Sequence, residues 1–79
     1  MEPISDFITK FKSQYSDADT FDLEPESEFR KFGTWDSLTA MAILVMIKDE
    51  YNVDIAVEKF RELQTIKDVY DYINTQITK

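Results

Sequence analysis

The chain has neither cysteine nor histidine among its 79 residues. Without thiols there is no disulfide staple and no thiolate metal site. Without imidazole, the usual general base, the usual metal ligand and the usual partner of a serine nucleophile are all missing. A catalytic centre would have to rest on carboxylates, lysine and tyrosine alone, so the chain is read as non-enzymatic and metal-free. Glycine occurs once, at Gly33, which marks a place where the backbone is expected to turn in a way other residues resist. Long apolar runs are also absent. The longest, Ala40 to Ile47, has eight residues, far short of the ~20 a membrane-crossing helix needs. The opening Met1-Glu2-Pro3 lacks the basic and apolar parts of a signal peptide, and a cytoplasmic location is the expectation.

Positive charge is scarce. Nine Lys and Arg face sixteen Asp and Glu, a net charge of −7. That balance disfavours nucleic acid or an anionic membrane as partner and favours basic protein surfaces. Aromatic residues make up 14% of the chain, more than a disordered acidic tail would carry. The expectation is a single domain over residues 1–79, near the size at which one core is barely sufficient.

What is present has helical period. Ile4, Phe7, Ile8, Phe11 and Tyr15 form one apolar stripe, with Pro3 suited to the first helical position. From Ser16 to Asp36 the pattern stops, leaving a long loop pinned by Phe21, Leu23, Phe29, Phe32 and Trp35. Within it, Pro25-Glu26-Ser27-Glu28-Phe29 is read as a short helical turn. A second helix is predicted from about Ser37 to Tyr51, apolar nearly all round. Its Leu38, Met41 and Val45 are expected to be partly exposed, while Ile43, Leu44, Ile47 and Tyr51 face the core. Val53 and Ile55 anchor a short connection, and Val57 to Leu63 supply one or two helical turns with Phe60 and Leu63 inward. Thr65 with Asp68 approximates a capping box. Ile66, Val69, Tyr70, Ile73 and Ile77 then repeat at helical spacing. With no credible strand, the fold expected is all-α: a small four-helix bundle of three long helices and one short, with a long loop between the first two.

Ser37 is the most informative position. It stands at the mouth of the second helix, where unpaired N–H groups and a partial positive charge suit a phosphate on its hydroxyl. Asp36 or Ser37 acting as a plain N-cap is the simpler alternative.

These elements, in this order and with Asp36-Ser37-Leu38 opening the second helix, resemble an acyl carrier protein. From Ser37 onward the chain follows the family without a gap. The apolar helix closes in Asp49-Glu50-Tyr51, Val53-Asp54-Ile55 follows, and Thr65-Ile66 precedes a last helix containing Asp71-Tyr72-Ile73. Upstream, Glu28-Phe29 is similar to the family's loop phenylalanine. The resemblance implies a non-enzymatic carrier whose cofactor is 4′-phosphopantetheine. A phosphopantetheinyl transferase attaches it to Ser37 from coenzyme A, and its thiol holds an acyl group as a thioester. Asp36 resembles the aspartate that assists this transfer. The partners implied are the transferase and acyl-loading, acyl-transfer or condensing enzymes, with the carrier itself a monomer.

Departures from the family pattern bear on partners. Thr39 and Ala42 stand where the usual fatty-acid carrier is acidic on its second helix, and Lys48 replaces a further acid. Acidity lies instead in the loop at Asp17, Asp19, Asp22, Glu24, Glu26 and Glu28, and at Asp36, Asp49, Glu50 and Glu58. Docking is therefore expected through Leu38, Met41 and Val45, flanked by Asp49, Glu50 and Glu58. This points to a specialised lipid, glycan-modification or secondary-metabolite pathway. Trp35 is expected to pack the loop end against the second helix. Phe60, where relatives keep a small residue, is expected to limit enclosure of long chains. Two other readings stay open: an aminoacyl (D-alanyl or peptidyl) carrier, and an unmodified helical adaptor.

Overall fold

The structure, a computed structural model, describes residues 2–17, 21–33 and 35–77. Asp19 of the acidic loop lies outside them. Among the described residues the elements are α1 (Ile4–Lys12), a 3₁₀ turn (Phe29–Lys31), α2 (Ser37–Tyr51), α3 (Val57–Glu62) and α4 (Ile66–Ile77). This is the all-α, four-helix arrangement that the periodicity predicts.

Each helix boundary has a local cause. Pro3 precedes α1 rather than opening it: its ψ of 149° is extended, and its carbonyl accepts the first N–H groups, from Asp6 and Phe7. Behind α1, the Ser13 hydroxyl and the Gln14 amide both donate to the Lys10 carbonyl. Such side-chain competition for backbone acceptors accompanies the end of the helix. Tyr15 is consequently off the helix, yet it remains buried, with its hydroxyl donating to the Phe29 carbonyl. α2 ends at Asn52, whose left-handed φ of 56° lets its N–H return to the Lys48 carbonyl at 2.9 Å. At α4, the Asp68 N–H donates to Thr65 Oγ1 and the Thr65 N–H to Asp68 Oδ2, both at 3.1 Å. The capping box is formed with aspartate in place of glutamate.

Aromatic contact builds the core. Phe29, fully buried, lies 5.0 Å from Phe11, 5.3 Å from Trp35 and 5.6 Å from Phe60 between ring centroids. Ile43 and Ile47 of α2, Phe7 of α1, and Ile66, Val69 and Ile73 of α4 complete it. One further expectation needs correcting. The helical turn in the loop starts at Phe29, because Pro25 and Glu26 form only a reverse turn closed by Ser27 N–H to the Glu24 carbonyl at 3.0 Å. Leu44 and Tyr51 face the core as expected, half-buried against its fully buried residues. Met46 and Thr39 of α2 are buried in addition. Ile77, the last residue of α4, is 45% exposed.

The long loop is tied to α4 by backbone. Pro25 and Ser27 carbonyls accept from Lys67 and Ile66 N–H at 2.8 and 3.3 Å, and Glu28 bridges to Thr65. Loop carbonyls thus satisfy N–H groups that the start of a helix leaves unpaired. The loop is a fixed strap whose exit delivers Trp35 and Asp36 to the head of α2.

Candidate functional site

Asp36 caps α2 with its side chain. Its backbone is extended, and Oδ1 accepts the Thr39 N–H at 2.9 Å and the Thr39 hydroxyl at 3.1 Å. These bonds, the backbone one first, hold the Asp36 carboxyl below the usual carboxylate range. Asp36 therefore takes the capping task, which leaves Ser37 as the first helical residue. The Ser37 side chain is exposed and, among the described residues, makes no hydrogen bond. An accessible hydroxyl at the positive end of a fifteen-residue helix can accept an anionic substituent without displacing a structural contact.

Beside Ser37 runs a groove of about 390 Å³ between α2 and α3. Trp35, Met41, Leu44 and Phe60 give it apolar walls, and Arg30 and Arg61 contribute its charge. Trp35 is half-buried, its ring contacts lying with Tyr15, Phe29 and Phe60 at 5.8, 5.3 and 6.4 Å, and it lines the groove together with Ala40, Met41 and Leu44 of α2. Phe60 is only 3% exposed, so its ring occupies the interior between the helices. Arg30 is half-buried over the rings of Phe29 and Phe60, 4.6 and 5.1 Å from their centroids. It donates to the carbonyls of Leu63 and Phe60, and burial lowers its pKa.

The α2 stripe expected to be partly exposed is open. Leu38, Met41 and Val45 are 75%, 62% and 57% exposed. Val57, at the start of α3, adds a further exposed apolar side chain across the groove. Sequence reasoning missed it, because a six-residue helix has too few positions to show a period. Of the flanking acids, Asp49 and Glu50 lie one turn beyond Val45, around a separate open hollow of about 580 Å³ that Ser37 does not reach. Glu50 is partly engaged there by Lys10 at 3.0 Å. Glu58 is exposed beside Val57. The structure thus gathers Asp36, Ser37, Leu38 and Met41 at one end of α2 and places Asp49 and Glu50 at the other. Arg30 and Arg61 were not anticipated; the available signal was that they are the chain's only arginines.

Among the described residues no helix is long and apolar enough to cross a membrane. No group of three or more candidate ligands there could hold a metal ion.

A family model described as the phosphopantetheine attachment site matches residues 13–73. Among curated proteins, an acyl carrier protein of Thermosynechococcus vestitus is 30% identical over 76 residues, covering 92% of this chain and 94% of the relative. Those of Micrococcus luteus and Myxococcus xanthus are each 29% identical, covering 85% and 84% of this chain and 83% and 84% of their own lengths.

Proposed function

Since this chain belongs to the acyl carrier protein family, we propose that the Ser37 hydroxyl is where its prosthetic group is attached. Membership makes the protein a carrier rather than a catalyst and brings a covalent 4′-phosphopantetheine, with a phosphopantetheinyl transferase and acyl-handling enzymes as partners. When bound, that group supplies a thiol on which an acyl chain is held as a thioester, which accounts for a carrier with no cysteine of its own.

The single observation that carries the assignment is the division of labour at the head of α2. Asp36 satisfies the helix, so Ser37 Oγ is exposed and uncommitted. In the transfer, Ser37 Oγ attacks the pyrophosphate phosphorus of coenzyme A that bears the pantetheine. A new P–O bond forms, the pyrophosphate P–O bond breaks, and adenosine 3′,5′-bisphosphate leaves while a base of the transferase takes the hydroxyl proton. The N–H groups at the start of α2 then face the phosphodiester and favour its charge.

Docking follows from the same face. The first nine residues of α2 after Ser37, Leu38 to Met46, carry no charge, and three of them form the exposed stripe. Partners are read chiefly by apolar contact at Leu38, Met41 and Val45, with Asp49, Glu50 and Glu58 at the margins. This fits a specialised lipid, glycan-modification or secondary-metabolite pathway, served by one cytoplasmic, monomeric carrier domain over residues 1–79. Cycling with general type II fatty-acid synthase enzymes as fast as their own carrier would contradict it.

The attachment itself is tested by incubation with coenzyme A, Mg²⁺ and a broad-specificity transferase, followed by intact mass. A gain of one phosphopantetheine, absent from a folded Ser37→Ala variant, is expected. No gain, or a gain that survives the substitution, defeats the assignment.

A further inference from the structure

Every described lysine is matched with a carboxylate: Lys10 with Glu2 and Glu50, Lys12 with Asp22, Lys31 with Glu28, Lys48 with Asp54, Lys59 with Glu62, and Lys67 with Asp71. Among the described residues neither arginine is matched, although acids outnumber bases sixteen to nine. Both arginines line the groove that begins at Ser37, and none of the described residues that line it is a carboxylate.

Arg30 is the more constrained. Two of its N–H donors reach the Leu63 and Phe60 carbonyls, and aromatic rings cover its faces. Neutral acceptors hold the guanidinium in place without cancelling its charge, and a partly buried cation without a counter-ion is unfavourable. Arg61 is exposed and makes no hydrogen bond among the described residues. Its planar fork is suited to a carboxylate.

We propose that this groove receives a short acyl group ending in a carboxylate, tethered through Ser37, with Arg61 as its partner and Arg30 as a fixed positive wall. The proposal rests on the reading that Ser37 bears the prosthetic group. Phe60 limits the reach of the cargo, Trp35, Met41 and Leu44 cover its methylenes, and the guanidiniums select its far end. An aminoacyl cargo brings an ammonium group, which two unmatched guanidiniums repel. A long saturated chain meets the Phe60 ring and leaves both charges unanswered. The groove therefore favours an acidic acyl group over the aminoacyl alternative.

The test uses the full chain, ¹⁵N-labelled and modified by the transferase with pantetheine arms bearing succinyl, butyryl or alanyl groups. Signals of the arginine Nε–H and Trp35 indole N–H groups are compared with those of the unacylated arm. Succinyl is expected to shift both the Arg61 and Trp35 signals, butyryl only Trp35, and alanyl neither. In Arg61→Gln, an exposed substitution, the succinyl-induced Trp35 shift should be lost while the butyryl-induced one remains, and Arg61→Lys should restore part of the former. Equal effects of succinyl and butyryl on Arg61, or an unchanged response in Arg61→Gln, overturn the proposal. So does an arginine shift already complete in the unacylated arm, which would assign the guanidiniums to the phosphodiester. In those cases loading at Ser37 still stands. Failure to load at Ser37 sinks the carrier assignment, and this inference with it.

Discussion

At Asp36 and Gly33, single side chains decide what the backbone can do. The Asp36 carboxylate is stabilised by Thr39, so its pKa is lowered on folding. A lowered carboxyl contributes stability above its unfolded value of about 3.9, and that contribution is lost as pH falls through the folded value. The head of α2 should therefore loosen only in acid below the ordinary aspartate range. The Thr39 amide shift, followed by NMR, should titrate there in the native chain and stay flat in Asp36→Asn, which keeps an acceptor but has no carboxyl to protonate. Gly33 has φ +57°, and a Cβ placed there would lie 2.6 Å from Asp17 Oδ1 and 2.7 Å from Phe21 Cε2. Gly33→Ala should cost at least about 1–2 kcal/mol from the left-handed backbone alone, lowering Tm by roughly 4 °C or more in thermal unfolding. The sequence announced this position by its solitary glycine but could not say what crowded it. Asp17 and Phe21 arrive from the far side of the loop, and proximity of that kind leaves no local pattern.

Elements were legible in proportion to their length. α1 and α4 show repeated apolar spacing and α2 a continuous apolar run; α2 spans the residues expected, whereas α1 ends at Lys12, short of the last residue of its stripe. α4 also carries its start signal: removing the Thr65 hydroxyl should cost about 1 kcal/mol. Thr65→Ala should thus lower the midpoint of chemical denaturation without changing its slope, and Thr65→Ser should restore it. α3 is too short to show a stripe, so Val57 escaped notice. The loop turn was misplaced because Pro25 signals a bend while the helical φ,ψ are set at Phe29, where core burial fixes the backbone. Phe60 links α3 to the loop through Phe29 and Trp35. Truncation to Ala there should cost about 3–5 kcal/mol, a large part of the stability of a small domain. The milder Phe60→Leu should keep the fold and slow hydrolysis of a dodecanoyl thioester relative to the native carrier, because chain now enters space the ring had filled. Unchanged hydrolysis would remove Phe60 as the limit on cargo length.

Over the whole molecule, charge and apolar surface have been separated. A net charge of −7 favours encounter with basic surfaces, while the opening turns of α2 present uncharged side chains. Met41, 62% exposed, contributes little to the fold, so Met41→Ala should leave stability within about 0.5 kcal/mol. If Met41 anchors the docked complex, its loss should lower kcat/KM for modification of Ser37 about fivefold or more, equivalent to about 1 kcal/mol or more. Salt should act mainly on the association rate and truncation of Met41 mainly on dissociation, which stopped-flow binding to the transferase can separate.

Periodicity and caps were enough to determine a helical bundle and its order, because those features act over one or two helical turns, and the Asp36-Ser37-Leu38 sequence singled out Ser37 for the proposal made above. Tertiary structure decided which of Asp36 and Ser37 serves the helix, and that Arg30 and Arg61, thirty-one positions apart in the chain, border the same groove without a counter-ion among the described residues. Such outcomes arise from packing α3 and the strap against α2. The charge left unmatched by that packing belongs to no segment by itself.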